Sequence, residues 1–321
     1  MRIKLLEKVR ASCKTVAEQA THIQIDVERI PKYAAGLPLS EAGRPAHDPE
    51  CHYLDHGADT AAFFLTLDAI NFGSGYFPHL RKHTGRSGYF TVAGCLTAHF
   101  KKNGPFSARD LSRLTAADCT RIFVQDPGNA PIDELMRHFA RALNELGAYL
   151  HTDFNGSFTE LIAAAGASAE RLMQLLIQMP GFQDVALWAG VEVPFFKRAQ
   201  LTAADLALAF GGEGPGRFED LDHLTIFADN LVPHVLRVDK ILRYPAKLCA
   251  RIEAGDLIAA GSREEIEIRA CALHAVELIK AALNESGQSI NAMGLDFLLW
   301  NRGQQPAYKA IPRHRTRTFF Y

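Results

Sequence analysis

Ile132-Asp133-Glu134-Leu135-Met136-Arg137-His138-Phe139-Ala140-Arg141-Ala142-Leu143-Asn144-Glu145-Leu146-Gly147-Ala148-Tyr149-Leu150 decides the fold class of this chain. Leu135, Phe139, Leu143 and Leu146 recur at three- and four-residue spacing, with Glu134, Arg137, Arg141 and Glu145 between them. That is the period of a helix with one apolar face. Ser262 to Asn284 repeats it: Ile266, Ala270, Leu273, Val276 and Ile279 form a stripe, and Gly287 follows soon after its end. Four places carry Ser or Thr three residues before an acid: Ser107 with Asp110, Thr115 with Asp118, Ser157 with Glu160, and Ser262 with Glu265. At that spacing hydroxyl and carboxylate can each satisfy a backbone N–H of a first turn, so each pair predicts a helix start. Strand signals are weak. Only Ala189-Gly190-Val191-Glu192-Val193-Pro194 reads as extended, and its proline confines it to an edge or a connector. The sequence therefore predicts an all-α fold, mainly helical, with at most a few short strands.

The chain has 321 residues, 48% hydrophobic and 22% charged, enough for a single compact helical domain over 1–321. The loop Asp126-Pro127-Gly128-Asn129-Ala130-Pro131 offers a division into two lobes. Gly211-Gly212-Glu213-Gly214-Pro215-Gly216 follows no strand and lacks Gly-Lys-Ser/Thr, so it reads as a flexible connection and not as a phosphate cradle. A formal net charge of −1 gives no global footprint for duplex nucleic acid, which favours a small-molecule partner. No obligate protein partner is indicated. The six cysteines form no Cys-x-x-Cys pair and predict reduced, buried thiols. Met1 to Lys8 threads charges through apolar residues and reads as an amphipathic helix, not a signal peptide. No apolar run reaches membrane-spanning length, and the expected location is cytoplasmic.

Candidate chemistry concentrates in His223-Leu224-Thr225-Ile226-Phe227-Ala228-Asp229-Asn230-Leu231-Val232-Pro233-His234-Val235-Leu236-Arg237. Apolar residues flank Asp229, and Pro233 then bends or restarts the helix. One reading makes Asp229 a partly desolvated carboxylate beside Phe227, with tunable ionisation. The other makes it the cap of the helix that begins at the break. Asp296 lies in a second apolar run, between Leu295 and Phe297-Leu298-Leu299-Trp300, where a carboxylate must find partners. His52 and His56 are four apart near Asp55 and Asp59, but Gly57 interrupts them and no His-Glu-x-x-His occurs. They predict exposed polar histidines or a pocket edge, and no metal site. Ser74, between Gly73 and Gly75, lacks the strand–turn–helix setting of a nucleophile elbow.

Several separated blocks carry a resemblance. They are the His223–Arg237 stretch; Phe195-Phe196-Lys197-Arg198-Ala199-Gln200 with Ala204-Asp205-Leu206; and Gly261-Ser262-Arg263-Glu264-Glu265-Ile266-Glu267-Ile268-Arg269-Ala270. Two more are Leu295 to Trp300 and the end Pro312-Arg313-His314-Arg315-Thr316-Arg317-Thr318-Phe319-Phe320-Tyr321. In this order they resemble the queuosine salvage protein family, the queuosine 5′-phosphate N-glycosidases. The likeness runs over most of the chain and is firmest in its C-terminal half. Asn71-Phe72-Gly73-Ser74-Gly75-Tyr76-Phe77-Pro78 resembles the family's N-terminal block in a Gly-Ser-Gly form. The family usually has Tyr-Arg after the motif's Ala-Asp, whereas this chain has Asn230-Leu231, which puts in doubt substrate contacts at those two positions.

The resemblance implies a helical architecture similar to that of DNA glycosylases. It also implies hydrolysis of queuosine 5′-monophosphate to ribose 5-phosphate and queuine, the latter salvaged into tRNA modification. No cofactor is implied, because water is the only second reactant. Splitting an N-glycosidic bond builds an oxocarbenium-like sugar, which a carboxylate stabilises while a carboxylate also activates water. Asp229 and Asp296 are the candidate acids. Either Asp229 grips the base while Asp296 works at the sugar, or the roles are reversed. A base needs an aromatic platform, for which Phe227, Phe72 and Trp300 are candidates against core packing. Asn71 and Ser74 enter as substrate contacts through their block. The 5′-phosphate needs cations. Lys197-Arg198 supplies two, unless they are a solvated pair; Lys197 also suits a catalytic place at the sugar hydroxyls or at water. His314 and Arg315 supply others, unless the tail simply docks. Three rivals stand beside this reading: a non-catalytic queuine-binding protein, a glycosidase for another modified nucleoside or a DNA base, and a helical scaffold.

Overall fold

In the computed structural model, residues 4–39 and 46–321 are described. The chain is mainly helical, and among the described residues its strands are four short segments in two antiparallel pairs. No helix of the described residues is long and apolar enough to cross a membrane. Contacts divide the chain into two compact units. The first takes residues 184–197 and 220–317 with the N-terminal segment; the second takes 46–183, 198–219 and 318–321.

The first unit is built on the helix Arg263–Glu285, which starts where the Ser262 hydroxyl accepts the Glu265 N–H. Its predicted stripe is buried, and so are Glu265, Glu267 and Arg269. Buried charges persist only with partners. Glu267 Oε2 accepts the N–H groups of Thr21, His22 and Ile23, which closes the chain after helix Leu5–Gln19 onto this helix. Its Oε1 accepts the Trp188 indole N–H at 3.3 Å. Trp188 ends the strand Val185–Trp188, which pairs with Val191–Pro194. Ala189 and Gly190 join them with φ of 48° and 83°, the left-handed pair of a tight hairpin turn. The extended segment read from the sequence is thus the second strand of a hairpin, and Pro194 sits at its end, opposite Val185.

The second unit centres on helix Ala58–Ala69, whose residues from Thr60 to Ala69 are all buried. Helix Ala130–Asp153 packs beside it and buries Leu135, Phe139, Leu143 and Leu146, as its period predicts. Ser107–Asp110 and Thr115–Asp118 form reciprocal capping boxes, and Ser157 accepts the Glu160 N–H. The 126–131 loop lies inside this unit, beside Gln125, whose amide bonds Arg81 and Phe123 carbonyls. All six cysteines are free and five are buried. His52 differs from its expectation: it is 3% exposed, with Nδ1 on the Asp48 carbonyl and Nε2 on the Tyr89 hydroxyl. His56 stacks on Tyr53 at 3.9 Å.

Candidate active site

Residues 224–228 are neither helix nor strand, and helix Leu231–Val238 starts just beyond them. Pro233 falls in the first turn, where a missing N–H costs no intrahelical bond. Asp229 Oδ1 accepts the N–H groups of Leu231 at 2.7 Å and Val232 at 3.3 Å. The capping reading therefore holds, yet it engages only one oxygen. Asp229 is half-buried, and its Oδ2 takes no hydrogen bond from the described residues. Asp296, 4% exposed on helix Ala292–Gly303, turns Oδ1 to the Phe227 N–H at 2.9 Å. The Phe227 ring meets Phe297 edge-on at 6.0 Å. The two sequence-predicted acids thus hold neighbouring positions of one non-helical segment, one recessed and one half-open. Trp300 is half-buried on the same helix as Asp296.

A third side chain fixes this segment. Arg269 Nε donates to the Ala228 carbonyl at 2.9 Å, and its two terminal nitrogens close on Asp184 at 3.0 and 2.6 Å. The guanidinium lies 3.9 Å from the Phe195 ring centroid. Asp184 in turn accepts the Lys197 N–H at 3.3 Å through its carboxylate, and the Phe195 N–H at 2.9 Å through its carbonyl. Phe196, between them, has φ of 50°, a conformation costly for a bulky residue and kept only where its surroundings fix it. The Asp184–Arg269 pair therefore ties the segment bearing Lys197 to the segment bearing Asp229. Sequence reasoning did not select either member. Arg269 carried a signal, a charge four residues after Glu265 on a buried stripe; Asp184 carried none.

The positions that depart from the family pattern serve the fold. Asn230, 2% exposed, donates to the His314 carbonyl at 3.2 Å. Leu231 packs so closely on Gly303 that a Cβ there would lie 2.8 Å from its methyl group. The tail docks by its backbone: Ile258 N–H donates to the Arg315 carbonyl at 2.8 Å, and Arg237 donates to Pro312. Arg315 donates its guanidinium to the Gly255 carbonyl. His314 is 2% exposed, its Nε2 has no hydrogen-bond partner among the described residues, and burial pushes its pKa down to about 3.

The remaining candidates belong to the second unit. Arg198, 1% exposed, donates to the carbonyls of Asp68, Ala69, Gly181 and Phe319, and lies over the Phe72 and Phe182 rings. The reading of Lys197-Arg198 as a solvated pair fails, since Lys197 is only 6% exposed. Phe72 packs edge-on against Phe139 at 5.2 Å as a core residue. Asn71 donates to Asp68 at 3.3 Å, and the buried Ser74 hydroxyl has no hydrogen-bond partner among the described residues. No group of three or more metal-binding side chains converges among the described residues.

Known proteins are similar to this chain. A profile of the family described as "Queuosine salvage protein" matches residues 51–321. The queuosine 5′-phosphate N-glycosylase/hydrolase of Sphaerobacter thermophilus is 37% identical over 318 residues, 98% of this chain and 97% of that protein. The protein of that name from Mus musculus is 31% identical over 332 residues, covering 97% and 98%. Its counterpart from Dictyostelium discoideum is 32% identical over 331 residues, covering 98% and 99%.

Proposed function

This chain belongs to the queuosine salvage protein family, and we propose from that premise that it hydrolyses the N-glycosidic bond of queuosine 5′-phosphate. The products are queuine, released for salvage, and ribose 5-phosphate. The observation that carries the mechanism is Asp229, fixed by two backbone N–H groups through one oxygen and half-open through the other.

In our reading Asp229 works at the sugar. As the C1′–N bond lengthens, positive charge builds on C1′ and the ring oxygen, and the fixed carboxylate offsets it without having to reorganise. The same carboxylate orients the attacking water and accepts its proton as the C1′–O bond forms, and that proton passes through solvent to the departing base. The bond pair departs with the base. Queuine is a 7-deazapurine and lacks the imidazole-ring nitrogen at which many purine leaving groups are protonated, so the site has to hold the base by its pyrimidine edge while the bond breaks. Asp296 takes that role beside Phe227, where carboxylate and ring supply edge recognition and a stacking face. Lys197, aimed by Phe196 and Asp184, meets the sugar hydroxyls or water. Among the sequence candidates for the base, Trp300 stays in the proposal and Phe72 leaves it for the core. Water as sole co-reactant requires no cofactor, and a nucleotide salvage step suits a cytoplasmic protein.

Mass spectrometry of the purified protein with queuosine 5′-monophosphate, queuosine and GMP tests this. Queuine released from the monophosphate, with no guanine from GMP, is expected. No release from any substrate, together with thermal stabilisation by queuine, would replace the hydrolase with a queuine-binding protein.

A further inference from the structure

The cations chosen from the sequence for the 5′-phosphate are engaged elsewhere. Arg198 donates to backbone carbonyls, as does Arg315, and the His314 ring is buried. Between Pro312 and His314 lies a cation that the sequence reading passed over. Arg237 holds the Pro312 carbonyl, and Asn230 holds the His314 carbonyl at 3.2 Å. Asn230 precedes helix Leu231–Val238 and Arg237 lies in its last turn, so the backbone at 313 is pinned along the helix whose first turn Asp229 caps. Arg313 is itself only half-buried. It forms no hydrogen bond or ion pair among the described residues, and Asp229 is the acid whose charge acts on it. The two do not close to the 4.0 Å of an ion pair.

We propose that Arg313 receives the 5′-phosphate of the substrate, an inference that rests on the reading of this protein as a queuosine 5′-phosphate hydrolase. A recessed guanidinium without a hydrogen-bonded acceptor is left poorly compensated, and a phosphate monoester supplies both the charge and the paired oxygens that its planar fork matches. Asp229 at C1′ and Arg313 at the 5′ end then grasp opposite sides of one ribose. Arg313 is a substrate-binding residue here, and it sets the preference for nucleotide over nucleoside.

The test compares wild type, Arg313→Gln and Arg313→Lys. Titration calorimetry gives Kd for ribose 5-phosphate and for queuine, and queuine release gives kcat and KM with queuosine 5′-monophosphate. Losing a charge-assisted contact predicts a Kd for ribose 5-phosphate raised roughly 10- to 100-fold in Arg313→Gln, with a smaller rise in Arg313→Lys. The effect on turnover is expected mainly in KM. Queuine affinity, which does not involve the phosphate, separates this from general damage: equal weakening of both ligands overturns the proposal. So does ribose 5-phosphate binding at wild-type strength in Arg313→Gln while wild type still releases queuine, which leaves the hydrolase reading standing. Should Arg313→Gln fail to fold, Arg313→Lys is judged by the same two affinities. A wild type that releases no queuine removes the hydrolase reading itself.

Discussion

Arg269 and Arg198 are both buried guanidiniums laid over aromatic rings, and they organise their surroundings differently. Arg269, in the first unit, closes on the Asp184 carboxylate with two bonds and keeps Nε for the Ala228 carbonyl. Arg198, in the second, gathers four backbone carbonyls from three stretches of chain. The first arrangement fixes the backbone beside a half-open acid, so its geometry bears on Asp229. The second fixes core backbone around Phe72 and Phe182, so its geometry bears on stability. A buried charge by itself therefore does not mark a site; what it holds, and how open that is, does.

The largest expected effect breaks the first region at its open end. Asp229→Asn keeps the size of the side chain and an oxygen able to accept the Leu231 N–H, but removes the charge. Turnover of queuosine 5′-monophosphate is expected to fall by roughly 10²–10⁴-fold, the range for a positioned proton-transfer group. Near wild-type kcat in a folded variant would take Asp229 out of the chemistry. Asp296→Asn should instead weaken queuine binding, read by calorimetry; loss of kcat with queuine affinity intact would reverse the two assignments.

Next in size is Arg269→Met. Removing one member of a buried pair leaves Asp184 uncompensated and is expected to lower unfolding free energy by about 3–5 kcal/mol in urea denaturation. Adding Asp184→Asn should recover part of that loss, because it removes the stranded charge. A loss below about 1 kcal/mol in Arg269→Met would show that the pair does not hold the segment. Arg198→Met strands carbonyls, and a smaller loss of about 1–3 kcal/mol is expected. If the two losses were equal, the contrast between the regions would collapse.

The sequence disclosed these regions unevenly, for physical reasons. Helices Ala130–Asp153 and Arg263–Glu285 were legible because each has one apolar face and a capped or proline-marked start. Helix Ala58–Ala69 was not singled out, because it is buried on all sides and carries no polar stripe to give it a period. Strand Val185–Trp188 hid because its outward residues, Val185 and Leu187, are apolar too, 40% and 68% exposed, so the run shows no apolar–polar alternation. At the site, Asp229 and Asp296 stood out as acids within apolar runs. Arg313 did not stand out from His314 and Arg315, since the basic residues of a tail look alike until the structure shows Arg315 spent on a carbonyl, the His314 ring buried and the backbone on either side of Arg313 pinned. Asp184 gave no local signal, because its role comes from a helix 85 residues away in sequence.

The smallest effect concerns acid, and it returns to both units. Burial pushes His314 down to about 3, with Arg237 and other nearby cations lowering it further. Burial also pushes His234, in the same unit, and His52, in the other, to about 4. Each is neutral when folded, whereas an unfolded histidine takes a proton near pH 6.5. Below that value the unfolded chain binds more protons, so stability is fully present above about pH 6.5 and is lost as pH falls toward the folded values. Each such histidine adds at most about 1.4 kcal/mol per pH unit to the slope of stability between pH 6.5 and 4. Urea denaturation across that interval measures the slope, and His234→Gln or His52→Gln should flatten it by up to that amount whatever each does to stability at pH 7. The Arg237 charge adds to burial at His234 and His314: Arg237→Gln should raise the His234 value and flatten the acid end of the slope slightly, while leaving the contribution of His52 as it was. A slope indifferent to Arg237 would mean that burial alone sets these histidines, and that the two units respond to acid alike.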